Sequence, residues 1–304
     1  MAWEVQQAYD LRHVELPENE WFALSQKMNG VRGTIFEGKM ISRQGKEIAG
    51  LDHILADMRK LIPGLDGFVF DGELVRKNPD HLSDNANFRV GSGIINSKDA
   101  DKSCIMFVIF DFLSKEQFLE GESRLSYKDR LDMLHQLKEL ICKAGLKNVR
   151  TVPTYYEGRD QDQIAVYLDR MVEMGKEGLM LNRDTPYFRK RHAGILKVKV
   201  FRTIDLEVVG FEEGKGRCTG MLGAFVCLYD FDVLPWEEAG TVNVGTGMTD
   251  SQRIEFWNIR DQLIGRVVEV MYKEETEDKQ TGLRSLQFPV FVSLREEGKA
   301  VSYE

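Results

Sequence analysis

The hydropathy pattern of this chain changes character near Phe201, and that change limits the folds open to it more than any other feature. Before it, strand-like apolar runs alternate with segments whose apolar residues recur at helical spacing. FVFDGELV (68–75), CIMFVIFDFL (104–113), GLMLN (178–182) and ILKVKVF (195–201) read as strands. LDHILADMRKLI (51–62), SYKDRLDMLHQLKELICKAG (126–145) and residues 161–176 read as helices. After Phe201 come IDLEVVGF, GAFVCLYDF, RVVEVMY and QFPVFVSL, short strands between turn residues, with one short helix at 250–263. The pattern predicts an α+β fold, with a domain of sheets and helices over residues 1–201 followed by an all-β barrel or sandwich over 202–304. Residues 1–20 read as a short polar helix or extension ending near Pro17. Trp21–Gly45 reads as strand, MNG turn, strand: a hairpin or meander.

Charge follows the same division. Residues 202–304 hold 11 Lys and Arg against 19 Asp and Glu, so the net −8 of the chain lies there and residues 1–201 balance. Over the twenty residues Arg183–Arg202, where the first part ends, Arg183, Arg189, Lys190, Arg191, Lys197, Lys199 and Arg202 stand against a single acid, Asp184. Such a run is either a solvated face or a phosphate-binding patch, and local basic patches bind phosphates even in acidic proteins. No stretch reaches the roughly 20 apolar residues of a membrane helix, and the acidic N-terminus has no apolar run to serve as a secretory signal. Four scattered cysteines with no C-x-x-C pair exclude the common zinc patterns and predict reduced, mostly buried thiols.

Several pairs could carry chemistry. Alternate strand residues share a face, so Asp71 and Glu73 point one way while Gly72 points the other. Lys197 and Lys199 likewise share a face opposite Leu196, Val198 and Val200. Two carboxylates suit a hard cation and two ammoniums suit phosphate. The alternative is a pair of edge strands with solvated outer faces. In SQKMNGVRG (25–33), an Asn-Gly turn sets Lys27 and Arg32 on either side of a bend. A lysine at the end of a buried strand, beside a cation or an apolar wall, becomes a better nucleophile. The alternative is an ordinary hairpin turn.

The order and spacing of these elements resemble the covalent nucleotidyltransferases, which include ATP-dependent DNA ligases, RNA ligases and mRNA capping enzymes. The matching stretches are K-M-N-G-V-R (27–32), S-R-Q-G (42–45), D-G-E-L-V (71–75), F-D-F-L (110–113), E-G-L-M (177–180) and L-K-V-K (196–199). The forms D-G-E-L-V, G-S-G-I-I (91–95) and E-G-L-M look like the DNA ligases, and the tail VVEVMYKEETEDKQTGLRSLQFPVFVSLRE resembles the end of the small bacteriophage-type enzymes. The resemblance implies a nucleotidyltransferase (adenylation) domain of antiparallel sheets and helices, followed by an OB-fold domain.

It also implies roles. Lys27 would be the nucleophile that takes AMP from ATP. Ser25, Gln26, Arg32, Arg43, Glu73, Phe110, Glu177, Lys197 and Lys199 would contact the nucleotide, with Phe110 stacking on adenine and the two lysines neutralising phosphate. Glu73 and Glu177 would also hold Mg²⁺ (or Mn²⁺). Arg32, Arg43, Arg189, Lys190 and Arg191 would meet nicked duplex DNA. A monomer acting in the cytoplasm of a bacterial or phage-infected cell is expected, with no membrane partner. RNA ligation, capping and a catalytically silent nucleic-acid binder are the alternatives; an NAD-dependent ligase does not fit, since its extra N-terminal domain and cysteine zinc finger are not read here. Two departures stand out. Asn29 replaces the usual Asp, which keeps the shape and loses the charge. Only Arg295-Glu296-Glu297 stands near the place of the C-terminal R-x-D-K element.

Overall fold

The computed structural model describes residues 3–199, 201–229, 240–273, 275–277 and 284–302. The chain divides into two compact units, Met1–Val200 and Phe201–Glu304.

The first unit runs β1 (Gln7–Asp10), β2 (Phe22–Gln26), β3 (Val31–Phe36), β4 (Lys39–Ser42), α1 (Asp52–Leu61), β5 (Phe68–Arg76), α2 (Asp84–Asn96), β6 (Ile105–Ser114), α3 (Lys115–Glu120), α4 (Tyr127–Lys143), β7 (Val149–Thr151), β8 (Thr154–Gly158), α5 (Asp162–Glu173), β9 (Gly178–Arg183) and β10 (Arg191–Lys199). Its strands form two five-stranded sheets, ordered β1-β10-β9-β2-β8 and β4-β3-β5-β6-β7. The second sheet packs on α1 and α4 through Ile54, Met58, Phe70, Phe107, Leu131 and Leu134. The first packs on α5 through Phe22, Leu24, Met171, Leu179 and Leu196. α4 starts at a capping box in which Ser126 and Asp129 each satisfy the other's backbone amide.

The expected hairpin across Met28-Asn29-Gly30 does not form. β2 is buried along its whole length, and β8 and β9 occupy its two edges, so β3 has no edge there to pair with. β3 instead joins the other sheet, between β4 and β5. The true hairpin is β3–β4, turning at Glu37 and Gly38, both with positive φ (48° and 69°), as a two-residue hairpin turn requires. Of the two readings of the N-terminal segment, the helix is not the one seen: β1 is extended and pairs parallel with β10, and Leu11–His13 coils as one 3₁₀ turn. Nor is either charged strand an edge. β5 lies at the centre of its sheet and β10 is flanked by β1 and β9.

The second unit runs β11 (Arg202–Glu213), β12 (Leu222–Leu228), β13 (Thr241–Val244), α6 (Asp250–Asn258), β14 (Val267–Tyr272), β15 (Glu275–Glu277), β16 (Arg284–Leu286) and β17 (Val290–Leu294). Five of these strands make one sheet, β13-β12-β11-β14-β17, and β15 and β16 pair separately. Phe225, Phe256 and Phe291 meet at the centre of its core. Val200, Asp230, Phe231, Glu274 and residues 278–283, which the strand and tail readings include, lie outside the described residues. All four cysteines are free, but only Cys227 is buried; Cys142 is exposed. Among the described residues, no helix is long and apolar enough to cross a membrane.

Candidate active site

The two sheets of the first unit line a cavity of about 230 Å³. From one side come Ser25, Gln26, Asn182, Arg191 and Lys197; from the other, Arg32, Arg43, Glu73 and Phe110; Lys27 joins them from the connection after β2. Glu177, Lys199, Arg189 and Lys190 do not line it.

Lys27 is fixed at both ends. Its backbone amide donates to the Gly178 carbonyl at 2.9 Å, and its Nζ lies 2.6 Å from Oε2 of Glu177. Both side chains are largely buried, 17% and 12% exposed, so water screens the pair weakly. Two motif glycines make this approach feasible. Gly178 has φ +138°, and a Cβ there would strike the Val198 carbonyl of the neighbouring strand. A Cβ on Gly30 would strike the Leu74 carbonyl and the side chain of Glu73.

Glu73 faces this pair. Burial pushes its carboxyl up to about 7; Arg32 and Lys27 pull it down, and the like charges of Asp71 and Glu177 push it up again. Lys197 is held below its usual value by burial and by the positive charges of Lys199, Arg191 and Lys27, against Asp10. Lys197 and Lys199 share the face opposite the buried Leu196 and Val198, and Lys199 lies past the cavity.

Asp71 departs from the expectation that it works beside Glu73. It is fully buried and takes Nε of Arg32 at 2.6 Å and the phenol of Tyr187 at 2.6 Å. Burial alone would favour loss of the Arg32 proton, but Asp71 outweighs it and holds the guanidinium above its usual value. Nη2 of Arg32 also donates to the Gln6 carbonyl, leaving Nη1 as its donor not engaged among the described residues. The Arg32 guanidinium sits 4.6 Å over the Phe110 ring.

The remaining candidates divide. Ser25 accepts from the Asn182 side chain and Gln26 from the Tyr155 hydroxyl, which fixes both in the cavity wall. Arg43 and Arg191, both exposed, converge on Oε1 of Gln7, at 2.8 and 3.4 Å. Arg189 instead lies 4.3 Å over Phe118 and donates to the Glu4 and Phe118 carbonyls. Lys190 is exposed near Phe188, and Arg183, from the same basic run, is paired with Glu20. In the second unit, Arg295 bridges Asp205 and Glu269. Sequence reasoning missed Tyr187 and Gln6. The only signal for Tyr187 was an aromatic residue inside a basic run.

A divalent cation fits this donor set in one way. No group of three or more His, Cys, Asp or Glu gathers among the described residues, so an all-protein cage is absent there. Glu73 and Glu177 offer one or two carboxylates, the usual protein share at a magnesium site completed by phosphates and water.

A family model described as ATP dependent DNA ligase domain matches residues 9–199, and one described as DNA ligase OB-like domain matches residues 213–295. The DNA ligase of Haemophilus influenzae is 23% identical over 239 residues, covering 77% of this chain and 75% of that one. The DNA ligase of Methanospirillum hungatei is 25% identical over 309 residues, covering 93% of this chain but only 53% of its own length. The solved structure named Pmar-Lig_PreS3 superposes with a TM-score of 0.75 at 27% identity, covering 97% of this chain and 68% of that one.

Proposed function

The chain belongs to the ATP-dependent DNA ligases, an adenylation domain followed by an OB-fold domain, and on that premise we propose that it seals 3′-OH/5′-phosphate nicks in duplex DNA through a lysyl-adenylate on Lys27. The observation that carries the reading is the Lys27–Glu177 pair, 2.6 Å apart beside a cavity lined by Glu73, Phe110 and Lys197.

Lys27 Nζ gives up a proton and bonds to the α-phosphorus of ATP as the bond to pyrophosphate breaks. Glu177 orients Nζ, and its carboxylate is within reach of that proton. AMP then passes to the 5′-phosphate of the nick. The 3′-OH attacks that phosphate and AMP leaves. Each transfer gathers negative charge on phosphate oxygens, so positioning and cationic stabilisation carry the catalysis. Lys197 lies in the cavity wall and Lys199 next to it on the same face, as a pair that neutralises phosphate. Phe110 offers the apolar surface for adenine, and Ser25 and Gln26 shape the pocket around the nucleotide. Mg²⁺ (or Mn²⁺) would be held by Glu73 and Glu177 and would neutralise phosphate charge. Nη1 of Arg32, together with Arg43 and Arg191, supplies cations for the nick phosphates, read through the backbone without base contacts. Lys190 extends that basic surface. All these side chains belong to one unit of one chain, which supports a monomer, and the free cysteines support a reducing cytoplasm.

The test is labelling with α-labelled ATP and, separately, α-labelled GTP in Mg²⁺, after pyrophosphate treatment to remove any bound AMP. A band with ATP alone, lost in Lys27→Ala, followed by sealing of nicked DNA rather than nicked RNA, is the expected result. A band with GTP would indicate capping chemistry. No band with either would indicate a silent binder.

A further inference from the structure

α2 is not legible in the sequence, and its first turn touches both loops that carry the reacting pair. Ser83 caps it, accepting from the Ala86 amide. Asp84 holds Nζ of Lys176 at 2.9 Å, one residue before Glu177. Asn85 accepts a 2.9 Å hydrogen bond from the side-chain amide of Asn29, two residues after Lys27. Asn87 anchors the helix to the end of β5, donating to the Arg76 carbonyl at 3.0 Å and accepting from Arg76 Nη1 at 2.8 Å. One turn of helix thus reaches the connection that bears Lys27, the connection that bears Glu177, and the strand that bears Glu73.

The Asn29–Asn85 contact also bears on the departure at Asn29. An amide both donates and accepts, so two amides pair in either sense. An Asp at position 29 could still accept from the Asn85 amide turned over. Carboxylates at both positions could not pair and would repel. We propose that Asn85 is a positioning residue for Lys27: it fixes the Met28–Gly30 connection through Asn29, and the two asparagines act as a matched pair. The inference rests on Lys27 being the nucleophile.

The experiment is single-turnover labelling with α-labelled ATP in the full chain, set beside equilibrium binding of an α,β-methylene ATP analogue that cannot transfer AMP. The wild type comes first. If it takes no label after pyrophosphate treatment, the nucleophile reading itself falls. If it is labelled, four variants decide the positioning role. Asn85→Ala is expected to slow labelling by about 10- to 100-fold, the scale of a misplaced reacting group, while analogue affinity moves by less than about threefold. Asn85→Asp keeps the acceptor and recovers most of the rate. Asn29→Asp supplies the second single-variant reference. The double variant Asn29→Asp/Asn85→Asp is slower than the two single effects combined by about tenfold or more. Wild-type labelling by Asn85→Ala, or simple additivity in the double variant, overturns the proposal. Should Asn85→Ala fail to fold, Asn85→Asp against the double variant still decides it, since both carry the same residue in the helix.

Discussion

The phenol of Tyr187 donates a 2.6 Å hydrogen bond to the carboxylate of Asp71, a residue with no exposed surface. The same carboxylate holds Nε of Arg32, whose Nη2 reaches the Gln6 carbonyl, while the Gln6 amide donates back to the Tyr187 oxygen at 3.1 Å. This closed loop ties β3, β5, the N-terminal segment and the loop before β10 together beside the cavity. Asp71→Asn removes the carboxylate that is ion-paired with a largely buried guanidinium, so it is expected to lower stability by about 3–5 kcal/mol. Tyr187→Phe removes a neutral hydroxyl, the donor to Asp71 and the acceptor for the Gln6 amide, and is expected to cost about 1–3 kcal/mol. Urea denaturation of both variants checks the ranking. Equal losses would mean that the charge pair is not what holds this loop.

Glu73 makes a prediction of opposite sign. Its carboxyl titrates near 7 in the folded chain and near 4.5 when unfolded. Between those values the folded state keeps a proton that the unfolded state has lost, so its contribution to stability falls as pH rises through this window. Below pH 4.5 both states are protonated and the difference vanishes. Glu73→Gln cannot ionise, so it should be more stable than the parent by about 3 kcal/mol above pH 7 and equal to it below pH 4.5. The comparison is made by thermal unfolding in chelator without nucleotide. The same variant should label poorly with ATP, a gain in stability set against a loss of function. A stability difference that does not vary with pH would remove Glu73 as its source.

The sequence made the two-unit division, the long helices and the identity of the lysine and carboxylate strands legible, because each rests on local periodicity. Lys197 and Lys199 share a face for the same reason. Pairing was not legible. Asn29-Gly30 carries a strong turn signal, yet β2 and β3 enter different sheets because β8 and β9 already hold the edges of β2. Asp71 and Glu73 alternate as expected, but one is sealed under Tyr187 and the other lines the cavity. That distinction depends on residues more than a hundred positions away. α2 escaped notice because Gly91 and Gly93 weaken its helical pattern, so its cap at Ser83 is the only clear local sign.

Gly178 tests how closely the nucleophile depends on backbone geometry. Its φ of +138° is one that other residues rarely adopt, and an added methyl would meet the Val198 carbonyl. Gly178→Ala should therefore shift the start of β9 and with it Glu177, its immediate neighbour. The expected result is a loss of about 100-fold in ATP labelling, as for a reacting group displaced by an ångström. Gly64→Ala, where nothing lies within 4 Å of the added methyl, is the control and should label normally. Normal labelling by Gly178→Ala would show that Glu177 does not set the position of Lys27.

Arg43 and the arginines of the basic run should not all act alike on DNA. Arg43 and Arg191 are exposed at the cavity and converge on Gln7. Arg189 is folded against Phe118 and two carbonyls. A side chain that neutralises a DNA phosphate contributes about one unit to the slope of log affinity against log salt. Arg43→Ala and Arg191→Ala should each reduce that slope by about one for nicked duplex, whatever its sequence. Arg189→Ala should leave the slope unchanged and instead lower stability by about 1 kcal/mol through the lost ring contact. Binding measured between low and moderate salt separates the two behaviours. A slope that responds to Arg189 and not to Arg191 would move the DNA path to the face formed by Glu4 and Phe118, away from the mouth of the cavity.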